Sequence, residues 1–290
     1  MGESPVTLIL QMGRVASRSW YEAIKAADPN AAVFHFHFVS PQSRDLIRAL
    51  SSEDGPAQTI RRPRLLRSLE TLPAELSERF VDGRWIGGPL RIVSGVRDPL
   101  SRGASFLMFS ADVFGHRNLP LAFREGGDIA SLLSYLRRAW SDALGYTQPG
   151  DSFTRLVCFL LAQYRSWFAT ELNTAFGIDI FDATPETGRR TWRIANDAVE
   201  VLVYRYEDLP SGKIVNEVGR FLDLDLDPLP ATNRTGSRRS GDLYGQLRER
   251  SRLPSEWLER IYAEPIVPHF YSDKEIIALK TQSSLADPFA

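Results

Sequence analysis

The sequence predicts an α/β domain built on a central parallel sheet, and three observations carry that reading. Short apolar runs at 6–11, 32–39, 90–96 and 199–206 alternate with stretches of helical period at 18–27, 41–51, 99–110, 129–143, 152–176 and 212–222. Strands alternating with helices imply parallel pairing through right-handed crossovers. Two of the runs, Val6–Leu10 and Leu90–Val96, read as buried strands that pass directly into turns suited to anions. At 290 residues and 43% apolar content, the chain is long enough for one large domain with a substantial core and a helical insertion.

The first element is a strand followed by Gln11-Met12-Gly13-Arg14-Val15-Ala16-Ser17-Arg18-Ser19-Trp20 and a helical pattern carrying Trp20 and Ile24. Small residues in such a loop let backbone N–H groups converge on an anion, and the helix N-terminus adds its dipole. Arg14, Ser17, Arg18 and Ser19 supply further donors. The Gly-Lys-Ser/Thr ending of nucleotide hydrolases is missing, which disfavours phosphoryl transfer from ATP.

In the second strand, Phe34-His35-Phe36-His37-Phe38 alternates, so a strand here puts both histidines on one face near its end. The third strand runs into Arg97-Asp98-Pro99-Leu100-Ser101-Arg102-Gly103-Ala104-Ser105. Asp98 suits a helix N-cap and Pro99 the first turn. Arg97 then leaves at the strand's C-terminal end, where open α/β sheets bind ligands, and Ser105 lies about two turns into the helix.

Residues 111–150 are expected to form an insertion over the sheet's C-terminal edge. The stretch Trp167 to Ile180 reads as the end of an amphipathic helix stopped by Gly177, with Trp167, Phe168 and Phe176 in the core. Residues 228–241 have the composition of a loop. Beyond it, Leu243 to Arg250 and Ser255 to Tyr262 look helical, with Ser255 as N-cap of the second. No internal repeat interrupts a single domain over 1–290.

The net charge of −1 gives no basic field for nucleic acid. The arginines nevertheless cluster, at Arg61-Arg62-Pro63-Arg64, Arg137-Arg138, Arg189-Arg190 and between Arg234 and Arg239, and some of these are expected to line an anion site. Cys158 is the single cysteine, which excludes an intrachain disulfide and suggests a buried, inert thiol. No secretory signal or transmembrane segment is read in the sequence, so a cytoplasmic location is expected.

Taken in order, these motifs resemble the sulfotransferases that use 3′-phosphoadenosine 5′-phosphosulfate (PAPS). The loop Gly13 to Trp20 is similar to the Pro-Lys-Val-Ala-Cys-Thr-Asn-Trp type of carbohydrate sulfotransferases. Arg97 through Ser105 matches the Arg-x-Pro-x-x-Arg-x-x-Ser segment, and Val201-Leu202-Val203-Tyr204-Arg205 with Tyr206-Glu207-Asp208-Leu209 is similar to the late strand ending in Tyr-Glu-Asp-Leu. The segment from Trp167 to Ile180, His269-Phe270-Tyr271-Ser272 and Glu275-Ile276 look like bacterial capsular-polysaccharide-synthesis relatives.

The resemblance implies a P-loop-nucleotide-hydrolase-like three-layer fold with a central parallel sheet. It implies PAPS as donor, with no metal, and a hydroxyl of a carbohydrate or other small metabolite as acceptor. Gly13, Arg14, Val15, Ala16, Ser17, Arg18 and Ser19 would hold the 5′-phosphosulfate. Arg97 and Ser105 would hold the 3′-phosphate, and Arg234, Arg238 and Arg239 would belong to a donor-covering loop.

Sulfuryl transfer requires positioning of both partners, neutralisation of charge on the leaving oxygen and removal of the acceptor's proton. Arg14 stands where relatives carry a lysine; it can stabilise the leaving oxygen but is a poor proton donor. His37 is the expected base, with His35 assisting, as in glycosaminoglycan 2-O-sulfotransferases that carry a His-x-His; Glu22 and Asp98 are the alternatives. A metal at the histidine pair would need a third ligand that the sequence does not identify. A nucleotide-dependent kinase and a non-catalytic nucleotide- or glycan-binding relative are the competing functions. The acceptor and the oligomeric state are not encoded in these motifs.

Overall fold

The computed structural model describes residues 5–13, 15–52, 71–114, 129–145, 152–183, 190–230 and 252–283. The chain divides into two compact units: Met1–Arg48 with Arg64–Arg97 and Ser166–Thr232, and Ala49–Pro63 with Asp98–Arg165 and Asn233–Ala290.

The first unit holds a five-stranded, mostly parallel sheet. Its strands are β1 (Val6–Leu10), β2 (Val33–Phe36), β5 (Leu90–Val96), β6 (Thr191–Ala195) and β7 (Val199–Arg205), in the order β2-β1-β5-β7-β6. The pairs β2–β1, β1–β5 and β5–β7 are parallel and β7–β6 is antiparallel, with Leu10 opposite Phe36, Ile9 opposite Val93 and Gly95 opposite Tyr204. Every residue of β1 is buried, as a strand enclosed on both faces requires. On one face Ile9, Val33, Val93, Leu202 and Tyr204 pack with Trp20 and Ile24 of helix α1 (Ser17–Ala27) and with Ile214, Val218 and Phe221 of a later helix, Lys213–Leu222. A small hairpin of β3 (Phe80–Val81) and β4 (Arg84–Trp85) precedes β5, and helix α2 (Pro41–Ser52) begins shortly after β2.

The second unit is helical. Its described helices are α3 (Pro99–Phe114), α4 (Ile129–Ala143), α5 (Ser152–Leu161) and, after the first unit's α6 (Lys213–Leu222), α7 (Ser255–Tyr262), α8 (Ile266–Phe270) and α9 (Asp273–Ser283). Asp98 starts α3 as expected: one carboxylate oxygen accepts from Ser101 N at 2.7 Å and the other from the Tyr262 hydroxyl at 2.6 Å. Arg102 is fully buried, and its guanidinium donates to the carbonyls of Leu160 and Leu161 at the end of α5, where a cation also meets the helix dipole.

Several expectations change. The pattern at 152–176 is not one helix: α5 ends at Leu161, a 3₁₀ turn covers Ala162–Arg165, and a π-helical turn covers Ala169–Asn173. Gly177 does close that segment in the left-handed region (φ 67°), and Trp167, Phe168 and Phe176 are buried. β2 ends at Phe36, so His37 lies beyond the strand rather than on its face. Pro254, not Ser255, occupies the N-cap of α7, so Ser255 is its first helical residue. The antiparallel β6 was not expected; in its five residues only the adjacent Thr191 and Trp192 are buried, which leaves no strand periodicity to read. Of residues 111–150, positions 111–114 close α3 and 129–145 contain α4; Arg234, Arg238, Arg239 and the helix expected at Leu243 to Arg250 lie outside the described residues. Cys158 is buried, its thiol 3.9 Å from the Ala139 carbonyl.

Gly95 fixes how β5 and β7 fit together. A Cβ there would stand 2.7 Å from the Tyr204 ring, which is itself fully buried. Gly95→Ala is expected to cost about 1–3 kcal/mol through overpacking, read as a lowered denaturation midpoint. An unchanged midpoint would show that the ring has room to move.

Candidate functional site

Parallel pairing brings three chain segments to one edge of the sheet. The C-terminal ends of β2, β1 and β5 lie side by side, so His37, the loop starting at Gln11 and Arg97 leave the sheet next to one another. All three belong to the first unit.

The loop is held from beneath. Tyr204 of β7 donates its hydroxyl proton to the Val15 carbonyl, and the Gln11 carboxamide approaches the same hydroxyl at 3.2 Å. Tyrosine has a single hydroxyl proton and a carbonyl can only accept, so the group that Gln11 turns toward Tyr204 is its amide nitrogen. That orientation also gives a partner to an amide nitrogen that otherwise lies buried without one. The result is a directed chain from Gln11 through Tyr204 to Val15, with Trp20 packed edge-on against the Tyr204 ring at 5.5 Å.

Ala16 stands at the N-cap of α1 in the left-handed region (φ 67°, ψ 18°), a conformation that costs an L-residue about 1–2 kcal/mol. Its methyl group caps nothing, and the first turn of α1 contains no acidic residue. The positive end of the helix dipole is therefore neutralised by no carboxylate of its own first turn. Ser17 and Ser19 are buried, whereas Arg18 is exposed and paired with Glu22 at 2.7 Å. Gly13 meets no steric demand, since a Cβ there would touch nothing. Arg14 lies outside the described residues.

His37 is fixed from several sides. Its Nδ1 is 2.8 Å from the Gln11 carbonyl, so Nδ1 carries the proton and, in the neutral ring, Nε2 carries the lone pair. Trp167 Nε1 donates to the His37 carbonyl at 2.9 Å. The His35 ring meets it edge-on at 5.0 Å, and Tyr21 lies 6.5 Å beyond His35. Burial, followed by the neighbouring His37 and Arg18 charges, pushes His35 down to about 3. His35 is thus the neutral member of the pair. The alternative bases are engaged elsewhere, Glu22 by Arg18 and Asp98 by Ser101 and Tyr262.

Arg97 stacks on the Tyr206 ring at 4.2 Å. Asp208, buried two residues later, accepts from Arg205 at 2.7 Å and from Arg190, which accounts for the Tyr-Glu-Asp sequence: the tyrosine carries a cation and the aspartate braces the β6–β7 edge. Arg190 and Arg137, members of two arginine clusters, are used structurally, Arg137 by donating to the Arg252 carbonyl at 3.2 Å. Ser105 is buried in α3 of the second unit. Among the described residues no three histidine, cysteine or acidic side chains gather as a metal site. No described helix is long and apolar enough to cross a membrane.

Sequence reasoning missed Gln11, Tyr204 and Glu171. Glu171 is fully buried in the π-helical turn; its Oε2 accepts from Val39 N (2.7 Å) and Ser40 N (2.8 Å), and its Oε1 from the Ser40 hydroxyl (2.8 Å). The available signal was an acid among Phe168, Leu172 and Ala175, at helical spacing on an apolar face. Comparison of the chain with family models, with curated proteins and with solved structures finds no match in any of the three.

Two outcomes follow from these contacts. Tyr204→Phe leaves the Val15 carbonyl without its buried donor and should cost about 1–3 kcal/mol, with faster amide exchange concentrated at residues 15–19. Unchanged exchange there would separate the hydroxyl from the loop. The unfolded chain protonates His35 near its usual value of 6.5 while the folded chain resists down to about 3, so stability should fall as pH drops through that window. His35→Phe should flatten this slope in thermal denaturation; an equal slope would assign the acid sensitivity to other groups.

Proposed function

We propose that the chain is a PAPS-dependent sulfotransferase of P-loop-like fold, transferring the sulfuryl group to a hydroxyl of a carbohydrate or other small metabolite. One observation carries the reading: the β2-β1-β5 order sets a histidine with a defined tautomer, an acid-free helix N-terminus behind a strained turn, and an arginine held on an aromatic ring along one sheet edge. An anionic donor and a proton-losing acceptor need these three functions together.

When bound, the donor supplies the sulfuryl group and a bisphosphate leaving group. The N-terminus of α1 and the loop before it would hold the 5′-phosphosulfate, and Arg97 the 3′-phosphate, its guanidinium preset by Tyr206. His37 Nε2 takes the proton of the acceptor hydroxyl as its oxygen bonds to sulfur and the sulfur–oxygen bond to the leaving group breaks. The neutral His35 beside it adds no second positive charge to oppose that protonation. Arg14 is assigned on sequence alone to the charge of the leaving oxygen.

Arg97→Ala is expected to weaken adenosine 3′,5′-bisphosphate about ten- to a hundredfold in calorimetry and adenosine 5′-phosphate far less. Equal losses would remove the 3′-phosphate assignment. With an active acceptor, His37→Ala should lower kcat roughly 10²–10⁴-fold and abolish the acid limb of the pH profile, with donor affinity preserved. A fully active His37→Ala protein would move the base elsewhere.

A further inference from the structure

The buried carboxylate of Glu171 takes no part in the chemistry just described, yet it lies against the turn that carries His37. That turn leaves β2 at Phe36 and enters α2 at Pro41, so only His37 to Ser40 connect the two. Such a short link, with its backbone N–H groups out of the sheet ladder, has to find acceptors elsewhere.

Glu171 provides them. Val39 N and Ser40 N both donate to its Oε2, while the Ser40 hydroxyl donates to Oε1 and accepts from Ser43 N at 3.3 Å, as an N-cap serine does. The carboxylate thereby ties down the connection and the first turn of α2 together. Four residues earlier on the same segment, Trp167 donates to the His37 carbonyl. The π-helical turn Ala169–Asn173, closed by Thr174 N on the Ala169 carbonyl, puts the adjacent Glu171 and Leu172 both inside. A regular α-helix turns successive residues by about 100°, which works against burying two neighbours equally; π turns of this kind recur at functional sites.

We propose that Glu171, together with Trp167, is a positioning residue for His37: it fixes the 37–40 turn so that the imidazole keeps Nδ1–H on the Gln11 carbonyl and presents Nε2 as the basic nitrogen. This rests on the reading of His37 as the base of the proposed reaction. Burial holds the Glu171 carboxyl above the usual carboxylate range against the opposing pull of its donors, so an uncharged acceptor of the same shape is tolerated. Glutamine meets that description. Its oxygen can accept from Val39 N and Ser40 N while its amide donates to the Ser40 hydroxyl.

The experiment uses the full chain labelled with ¹⁵N-histidine, whose four imidazoles are few enough to resolve. The wild-type His37 should show the Nδ1–H tautomer, and Glu171→Gln should keep it. Glu171→Ala should lose the tautomer bias and raise amide exchange at Val39 and Ser40 at least a hundredfold. Affinity for adenosine 3′,5′-bisphosphate, held by other segments, should change less than about twofold. Trp167→Phe, which removes one donor and keeps an aromatic ring, should show a weaker form of the same signature, and it carries the test if Glu171→Ala does not fold. Retention of the tautomer and of amide protection in Glu171→Ala, or in Trp167→Phe where that variant carries the test, would overturn the proposal. So would a Glu171→Gln protein as perturbed as Glu171→Ala, because the carboxylate would then act through its charge and not as an acceptor. Wild-type protein that fails to bind the bisphosphate would count against the sulfotransferase reading, while the histidine spectra and amide exchange would still decide whether Glu171 positions His37.

Discussion

The parallel pairing of β1 between β2 and β5 is the constraint on which the rest depends. A strand buried on both faces has no tolerance for polar side chains within it, and Val6 to Leu10 contains only Thr7 as an exception. Polar chemistry is pushed to where the ladder ends. Because the neighbours run the same way, their ends coincide, and Gln11, His37 and Arg97 emerge together. An antiparallel neighbour would send one of them to the opposite edge.

Beneath that edge, the buried polar groups are arranged as directed hydrogen bonds. Tyr204 reaches up through the space that Gly95 leaves and donates to the loop, Gln11 donates to Tyr204, and the Gln11 carbonyl orders the His37 ring. Glu171 accepts three donors from the next turn. Most links end on a carbonyl acceptor or a backbone N–H donor, which can act in only one sense, and this restricts the arrangements open to the network. Restricting the arrangements in this way holds the His37 ring and the N-terminus of α1 in one geometry.

Charge is handled by the same economy. Asp208 is buried with two arginines, and Arg102 is buried against two helix-terminal carbonyls; neither charge is left without a counterpart. Removing one partner of such a pair exposes the full desolvation cost of the other. His35 takes the alternative route and stays neutral, so no second imidazolium charge stands beside the His37 ring.

The sequence by itself determined the mostly parallel sheet, the places of its main strands along the chain and the position of the first loop, because those depend on local apolar periodicity and on turn composition within a few residues; the order in which the strands pair came from the tertiary structure. It also located Asp98 as a cap, Gly177 as a helix stop and Cys158 as buried, each a local consequence of residue type. Tertiary structure alone decided the rest. The stretch 152–176, which the apolar period read as one helix, is broken by a 3₁₀ turn and then a π turn that the period does not register. The histidines share a contact although only His35 lies in the strand, since β2 stops where the 37–40 turn finds its acceptors on a segment more than a hundred residues away. Sequence reasoning did not single out Tyr204 or Glu171 for the contacts they make. Their partners, Val15 and Val39–Ser40, are remote in sequence, and hydrogen bonds between remote segments leave no periodic trace in a single chain.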